Sequence, residues 1–440
     1  MASSTANDQL SGFEANIQGL TLTDEKGQQQ TLIATAMNEE FIHLNGTVEP
    51  LATVSIPQGG YVSAAITLGS ANPLCVGQVP GELYSDEMAN SRMVTVNLPS
   101  PITVTGNVMG LVLNLDVSES TPFTGACPTS LATVAPSDTA FSLTPMNISA
   151  QPTSSANGKA LGLRGIIGSV AAGGAGFTVN SLSSFAGMDP PSWTVAVNGM
   201  TTLQSGLSSA QLVPGALVDM DAAVQQDGSL LATRIALIET NLANLTVVEG
   251  PVMEVSAAEP VILFEGTAQE GNFAPNLGYS LYYNFGNATF EVSSQPTNLA
   301  TLPFPAGFSA ASMVAGQRMA ISTQATTFQG GPNYFPLTRV TLLPQTIDGT
   351  VSAISTVGNF TTYTVQLASY DWFPAFAVEP GQTTQLTAPN TVVVYADSNT
   401  QMLNSGSVGV GSVARFYGLI FNDSGTLRMD CSQVNDGVPE

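Results

Sequence analysis

One pattern returns three times along this chain, and it limits the fold more than any other feature. A glycine is followed by an aliphatic residue at plus two and another at plus five: Gly165, Ile167, Val170; Gly250, Val252, Val255; and Gly349, Val351, Ile354. Recurrence of this kind marks one supersecondary unit copied in tandem. Each copy continues with an aromatic-polar-aliphatic step: Phe177-Thr178-Val179, Tyr279-Ser280-Leu281 and Tyr363-Thr364-Val365. An alternating stretch follows, read from Trp193, Val195 and Val197, from Phe290 and Val292, and from Val392 and Val394. A second glycine, with an apolar residue three positions before it, opens the next stretch: Leu212 and Gly215, Met313 and Gly316, Val408 and Gly411. Apolar residues then fall at plus three and plus five, as Val218 and Met220, Met319 and Ile321, Ala414 and Phe416. A period of two is the signature of strands. Closing strands are expected around residues 231–237, 337–342 and 427–431.

Five short strands with a longer stretch before the fourth predict a small Greek-key barrel of the OB type, a sandwich being the alternative. The expected fold is therefore all-β, with three OB-like five-stranded barrels over residues 161–240, 246–343 and 346–433. The second copy is expected to carry an insertion between its first two strands, because Gly250 and Tyr279 lie more than twice as far apart as the matching residues of the other copies. The joints between copies are short, which predicts an elongated row.

Residues 11–145 read as a β-sandwich. Strand-like runs at 13–22, 31–35, 41–44, 51–56, 61–68, 93–98 and 108–117 are separated by turn signals such as Lys26-Gly27 and Pro57-Gln58-Gly59-Gly60. Residues 1–10 form an N-terminal extension, and residues 146–160, rich in Ser, Asn, Pro and Gln, form the linker to the repeats.

The chain of 440 residues holds 9 Lys plus Arg against 32 Asp plus Glu, a net charge of −23. Bases are scarce and acids are ordinary in number, so the surface is mostly uncharged. Tracking nucleic-acid phosphates takes many more cations, which excludes that partner. No run of about 18 apolar residues occurs, so no transmembrane segment is expected. With only Lys26 and Lys159 as lysines, the composition fits a secreted or cell-surface protein. In an oxidising compartment Cys75 and Cys127 are the disulfide candidates, two buried thiols being the other reading; Cys431 is expected to be a buried small hydrophobe.

Two motif groups carry a family resemblance. The repeats join the opening Gly-x-Val and the glycine-led fourth strand to a closing Leu-x-x-Arg-(Ile/Val), seen at Leu231 and Arg234-Ile235 and in degenerate form at Pro336 and Arg339-Val340. They resemble secreted bacterial domains of unknown function with an OB-like fold. The leading domain carries Ile56-Pro57-Gln58-Gly59-Gly60-Tyr61 and Leu113-Asn114-Leu115-Asp116-Val117, and is similar to another exported family of unknown function. The third repeat departs by placing Cys431 near the arginine position. Neither resemblance implies a catalytic residue.

Direct searches for chemistry agree. His43 is the only histidine, so it alone would have to serve as base to a Ser or Cys nucleophile, and its place in an alternating stretch beside Ile42 and Leu44 argues against that role. Ser-x-x-Lys is absent. The acid pairs Glu39 with Glu40, Asp86 with Glu87 and Asp219 with Asp221 are expected to be solvated surface acids rather than a hydrolytic pair. No calcium loop is present, and no metal or other cofactor is expected. Gly173-Gly174-Ala175-Gly176 precedes a strand without a lysine, so it reads as a hairpin turn and not a phosphate cradle. Two aromatic clusters stand out: Tyr279, Tyr282, Tyr283 and Phe285, and Tyr370, Trp372, Phe373 and Phe376. They are either local core or, if exposed, an interface or ligand face. The expected function is a non-enzymatic extracellular structural protein that self-associates into a homo-oligomer or filament through strand and aromatic contacts, with residues 2–10 as a strand-donating segment. The alternative is a surface-anchored adhesin or polysaccharide-binding module using the aromatic clusters.

Overall fold

The computed structural model describes residues 2–4, 10–41, 44, 48–76, 83–85, 92–105, 109–116, 140–146, 159–181, 192–204, 206–225, 229–240, 242, 245–256, 261–270, 278–293, 299–324, 335–367, 372–377, 386–403 and 408–435, some of them (for instance 10–14, 70–76 and 261–270) by their backbone alone. The fold is all-β, as the periodicity predicts. The leading domain holds β1 (Ala2–Ser4), β2 (Leu10–Asp24), β3 (Gln29–Ile33), β4 (Met37–Glu40), β5 (Gly59–Val76), β6 (Leu83–Ser85), β7 (Arg92–Val96), β8 (Ile102–Val104), β9 (Gly110–Leu115) and β10 (Phe141–Met146). Strands β2 to β8 form a seven-stranded sheet around the long β2–β5 pair, and β1, β9 and β10 form a three-stranded one. Ile17, Leu22 and Ile66 of the first share one core with Leu113, Leu115 and Phe141 of the second, the two-layer solution for sheets that each have one apolar face. Phe41 packs edge-on against Phe141 with ring centroids 5.5 Å apart. Residues 51–56, expected as a strand, are irregular. Their neighbour Pro50 has its carbonyl committed elsewhere, accepting the Trp193 indole N–H at 2.9 Å, so this segment ties the sandwich to the first barrel instead of extending a sheet.

Three six-stranded sheets follow. The first comprises β11 (Lys159–Val170), β12 (Gly176–Ser181), β13 (Ser192–Ala196), β14 (Thr202–Leu203), β15 (Leu217–Val224) and β16 (Leu230–Glu239). The second comprises β17 (Thr246–Ser256), β18 (Val261–Glu270), β19 (Gly278–Asn284), β20 (Thr289–Val292), β21 (Arg318–Thr323) and β22 (Phe335–Leu342). The third comprises β23 (Gln345–Val357), β24 (Phe360–Gln366), a short helix α1 (Trp372–Ala377), β25 (Thr391–Ala396), β26 (Gln401–Leu403), β27 (Val413–Asp423) and β28 (Thr426–Asn435). All three have the same order: third, second, first, fifth, sixth, fourth. In each the third strand also pairs in parallel with the sixth. Five strands thus close into a ring, and the short fourth strand pairs outside it.

The two glycine motifs are halves of one contact. Gly215, Gly316 and Gly411 sit at φ +87°, +94° and +92°, a region that only glycine enters without strain. Held there, their N–H groups donate to the carbonyls of Ile167, Val252 and Val351 at 2.8, 2.7 and 2.8 Å. Each of those aliphatic residues donates back, to Ala216, Gln317 and Ser412, at 2.9, 3.0 and 2.9 Å. Just after the first glycine the register slips in all three copies, a bulge that curls the long first strand into the ring.

The second copy corrects the expected register. Its second strand is β18, residues Tyr279 to Leu281 belong to the third strand, and Phe290 to Val292 form the short fourth strand. Only residues 257–260 separate the first two strands, so the expected insertion is not there. Alternation identifies a strand but not its ordinal place, and an unmotivated strand such as β18 is skipped. The extra chain lies instead between the fourth and fifth strands of the second copy, residues 293–317, and between the second and third strands of the third copy, where α1 sits.

Those two excursions pack reciprocally. Leu302 and Phe304 from the second copy join Phe360, Tyr395, Leu419 and Phe421 of the third, while Phe376 of α1 reaches back to Met253 and Ala315 of the second. The first and third copies also touch, at Gly162 and the Tyr417 hydroxyl. This corrects the expected elongated row: the barrels cluster, because their outer faces carry residues that require cover. Every residue of β15 is buried, on the barrel side and on the outer side alike. No described helix is long and apolar enough to cross a membrane.

Candidate functional site

The densest group of buried ionisable side chains lies where the barrels meet. It grows from equivalent strand positions. Arg164, Glu249 and Asp348 each precede the first motif glycine, and each pairs across its sheet with a residue of the fifth strand: Asp219, Ala320 and Arg415 respectively. These positions point away from the barrel interior, alternating with core residues such as Val218 and Met220. One position therefore carries a cation in the first copy and an anion in the next.

Arg234 of β16 is the centre. Its Nε donates to Asp221 Oδ2 at 2.7 Å, Nη2 to Asp221 Oδ1 at 3.0 Å and Nη1 to Asp219 Oδ2 at 3.0 Å. The planar guanidinium fits two carboxylates at once, which an ammonium could not do. Asp221 Oδ1 also accepts the Gly162 N–H at 2.9 Å. From the second barrel, Ser293 Oγ donates to Asp219 Oδ2 at 2.6 Å. Arg164 lies 3.6 Å from Asp219 through Nε and donates through Nη1 to Glu249 of the second barrel, which Arg318 approaches at 3.8 Å. Three cations face three anions. From the third barrel, Tyr417 brings its hydroxyl against Gly162, whose φ of +65° and lack of a Cβ both make room.

Burial and pairing compete here, and pairing wins. Desolvation alone would raise the Asp219 carboxyl, but Arg234, Arg164 and the Ser293 hydroxyl hold it below the ordinary carboxylate value. Desolvation would weaken the Arg234 guanidinium, yet Asp219 and Asp221 push its proton affinity up. The Tyr417 phenol is pushed up by burial and by the two aspartates. Asp219 is 0% exposed, Asp221 4% and Arg234 2%. The expectation that Asp219 and Asp221 are solvated surface acids is therefore corrected, and the pair has no face left for a substrate or water nucleophile. What the arrangement does chemically is neutralise charge between the first two barrels, with the neutral Tyr417 phenol of the third packed against it. A buried pair of this kind fixes relative placement, since displacing one member strands the other.

The remaining arginines of the repeats are used alike. Arg339 pairs with Glu239 of the first barrel at 3.7 Å and donates to the Ile238 carbonyl at 2.6 Å. Arg415 pairs with Asp348 at 3.2 Å, and Arg428 with Asp423 at 2.7 Å.

Of the aromatic candidates, Tyr283, Phe285, Phe373 and Phe376 are buried and Trp372 is half-buried, its ring tilted against Phe376 with centroids 5.7 Å apart. Tyr283 and Phe285 belong to the second barrel's core; Phe373 and Phe376 line its contact with the third. These four have no surface to offer a ligand. Tyr370 and the side chains of Tyr279 and Tyr282 lie outside the described residues, as do His43, Cys127, Asp86, Glu87 and the Cys75 side chain. Cys431 is buried and free, its thiol pushed up by burial. Glu39 is buried in the sandwich. Among the described residues no three His, Cys, Asp or Glu converge as metal ligands. The 173–176 glycines form the β11–β12 hairpin, with Gly173 and Gly174 at φ +76° and +71°.

Sequence reasoning noticed Arg234 only as part of a motif. The available signal was scarcity: two arginines and two aspartates on the outward positions of one unit, in a chain with 9 cations. Residues 164–236 match the family described as a domain of unknown function, DUF5666. The match runs from Arg164 of the ionic junction to Ala236, within the strand that carries Arg234. The comparison with curated proteins found no match.

Proposed function

We propose that this chain is a non-enzymatic extracellular structural protein that self-associates, built from a β-sandwich and three copies of one OB-like barrel. The observation that carries the reading is the use of charge: every arginine of the barrels is engaged in an internal ion pair. Among the described side chains no barrel cation remains unpaired to steer a phosphate or a carboxylate substrate, and the Asp219 carboxylate is sealed from solvent. A coat of uncharged side chains costs less to desolvate than a charged one when copies meet. The polysaccharide-binding alternative draws less support, because four of its eight aromatic residues are buried within the chain. Sedimentation and negative-stain microscopy of the full chain test the proposal. Regular polymers or defined oligomers are expected; a monodisperse monomer at high concentration overturns it.

A further inference from the structure

The three-stranded sheet of the leading domain has an edge that one short segment covers. Strand β1 pairs with β9 in parallel, Ala2 with Leu113, Ser3 with Asn114 and Ser4 with Leu115. On its other side β9 pairs along its whole length with β10, from Gly110 with Met146 to Leu115 with Phe141. Strand β9 is also anchored from below, since Leu113 and Leu115 belong to the sandwich core. Strand β1 itself holds by three residues in the parallel arrangement, the weaker of the two pairings. It is the terminal strand of its sheet, whereas β2, only residues 5–9 further on, lies in the other sheet.

Exposed edges of natural sheets are commonly guarded by lysine, proline or inward-pointing charge. Here the sequences are Ala-Ser-Ser in β1 and Gly-Leu-Val-Leu-Asn-Leu in β9. Neither carries a charge or a proline. Residues 2–10 hold one ionisable side chain, Asp8.

We propose that β1 is an exchangeable strand, and that residues 2–4 of a second copy of this chain occupy the β9 edge in the same register. Repetition of the exchange joins copies head to tail. Main-chain hydrogen bonds supply the affinity, as in other strand-addition contacts, and the hinge-mediated exchange of an identical element is a low-cost route to assembly. This rests on the self-association reading above and names its contact.

The test uses cysteine pairs at the paired positions, since cross-strand neighbours lie within disulfide reach. One full-length chain carries Ser3→Cys and another Asn114→Cys, each with the native cysteines retained. The two are refolded together under mild oxidation. A disulfide-linked pair containing one chain of each kind, at least about tenfold above either variant alone, is expected. If mixing gives no such pair, while the double variant Ser3→Cys/Asn114→Cys links only within itself, the exchange is overturned. Sedimentation of a chain lacking residues 2–4 separates the two claims. Loss of assembled species with an unchanged barrel unfolding midpoint supports the exchange. Undiminished assembly overturns the exchange and leaves self-association standing; absence of assembly in the unmodified chain overturns both.

Discussion

The joint between the first and second barrels and the joint between the second and third use the same scaffold and opposite chemistry. At the first, Arg164 reaches Glu249, Ser293 reaches Asp219 and Arg339 reaches Glu239, with an apolar strip of Leu217, Ile238, Val247 and Leu343 beside them. At the second, Phe304 lies against Tyr395 and Phe421 at centroid distances of 4.9 and 6.0 Å, under the Arg428 guanidinium at 5.8 Å. Gln317 bridges the second joint by donating to the Ile420 carbonyl at 2.9 Å. Equivalent strands thus dictate where barrels meet, while the side chains on their outer faces decide how. An ionic joint punishes loss of one partner; an aromatic joint loses area and packing. The ion pairs that cross the first joint are titratable, whereas the second is held chiefly by aromatic and apolar packing.

Removing Asp219 should break the comparison most strongly. Asp219→Ala removes the anion that Arg234 and Arg164 share, leaving Asp221 and Glu249 to balance three cations, and is expected to cost about 4 kcal/mol, the range for uncompensated buried charge. A urea midpoint within error of the parent would refute the ionic account. Phe304→Ala should cost about 3 kcal/mol through lost area and a cavity, and its unfolding should keep the parent's acid profile. Acid distinguishes the joints directly. The folded value of Asp219 lies below its ordinary 3.8, so between the two values the unfolded chain holds more protons. The stabilisation is complete above about pH 4 and is lost as pH falls through the depressed folded value. Asp219→Asn should flatten that limb of the stability curve; an unchanged limb counts against the assignment. Ser293→Ala, which deletes one hydrogen bond to a charged group, should cost about 2 kcal/mol. Smallest is a difference between two glycines. Gly215 and Gly316 share nearly the same φ, but a Cβ at Gly215 meets nothing whereas at Gly316 it meets the Phe373 ring at 2.7 Å. Gly316→Ala should therefore exceed Gly215→Ala by about 1 kcal/mol in thermal unfolding, and equal effects would place the second joint elsewhere.

The parts of this fold that could be read in advance are those fixed by backbone need. Gly215, Gly316 and Gly411 recur because a left-handed residue must hand its N–H to the first strand, and that requirement leaves the same letter in each copy. Phe177, Val179 and Val195 alternate because one barrel interior sorts them. The second copy misleads where its strands lack such letters: in Val261 to Glu270 the aromatic Phe264 and polar Glu265 are followed by Gly266 and not by an aliphatic residue, so the triplet at Tyr279 to Leu281, one strand later, is the one the pattern picks out. The ionic junction was hidden for a different reason. Asp219 and Asp221 alternate with apolar residues, which is the pattern of a strand with one wet face. What keeps that face dry is Ser293 from the second copy and Tyr417 from the third, residues 74 and about two hundred positions away. No window on one strand contains that information. Likewise Phe373 and Phe376 are legible as a cluster but not as the contact between the third barrel and the second.

The meeting of Tyr417 with Gly162 has a mechanical consequence. Tyr417 pairs across its sheet with Gln433, two positions from the last strand residue, Asn435; Gly162 is three positions into the opening strand of the repeats. The start and finish of the barrel array are therefore neighbours. A pull applied between residues 159 and 435 would act first on this narrow seam, and the middle barrel would carry little of it. Under tension the trio should behave as a compact bead that yields in one step at the seam, and not as a spring that lengthens barrel by barrel.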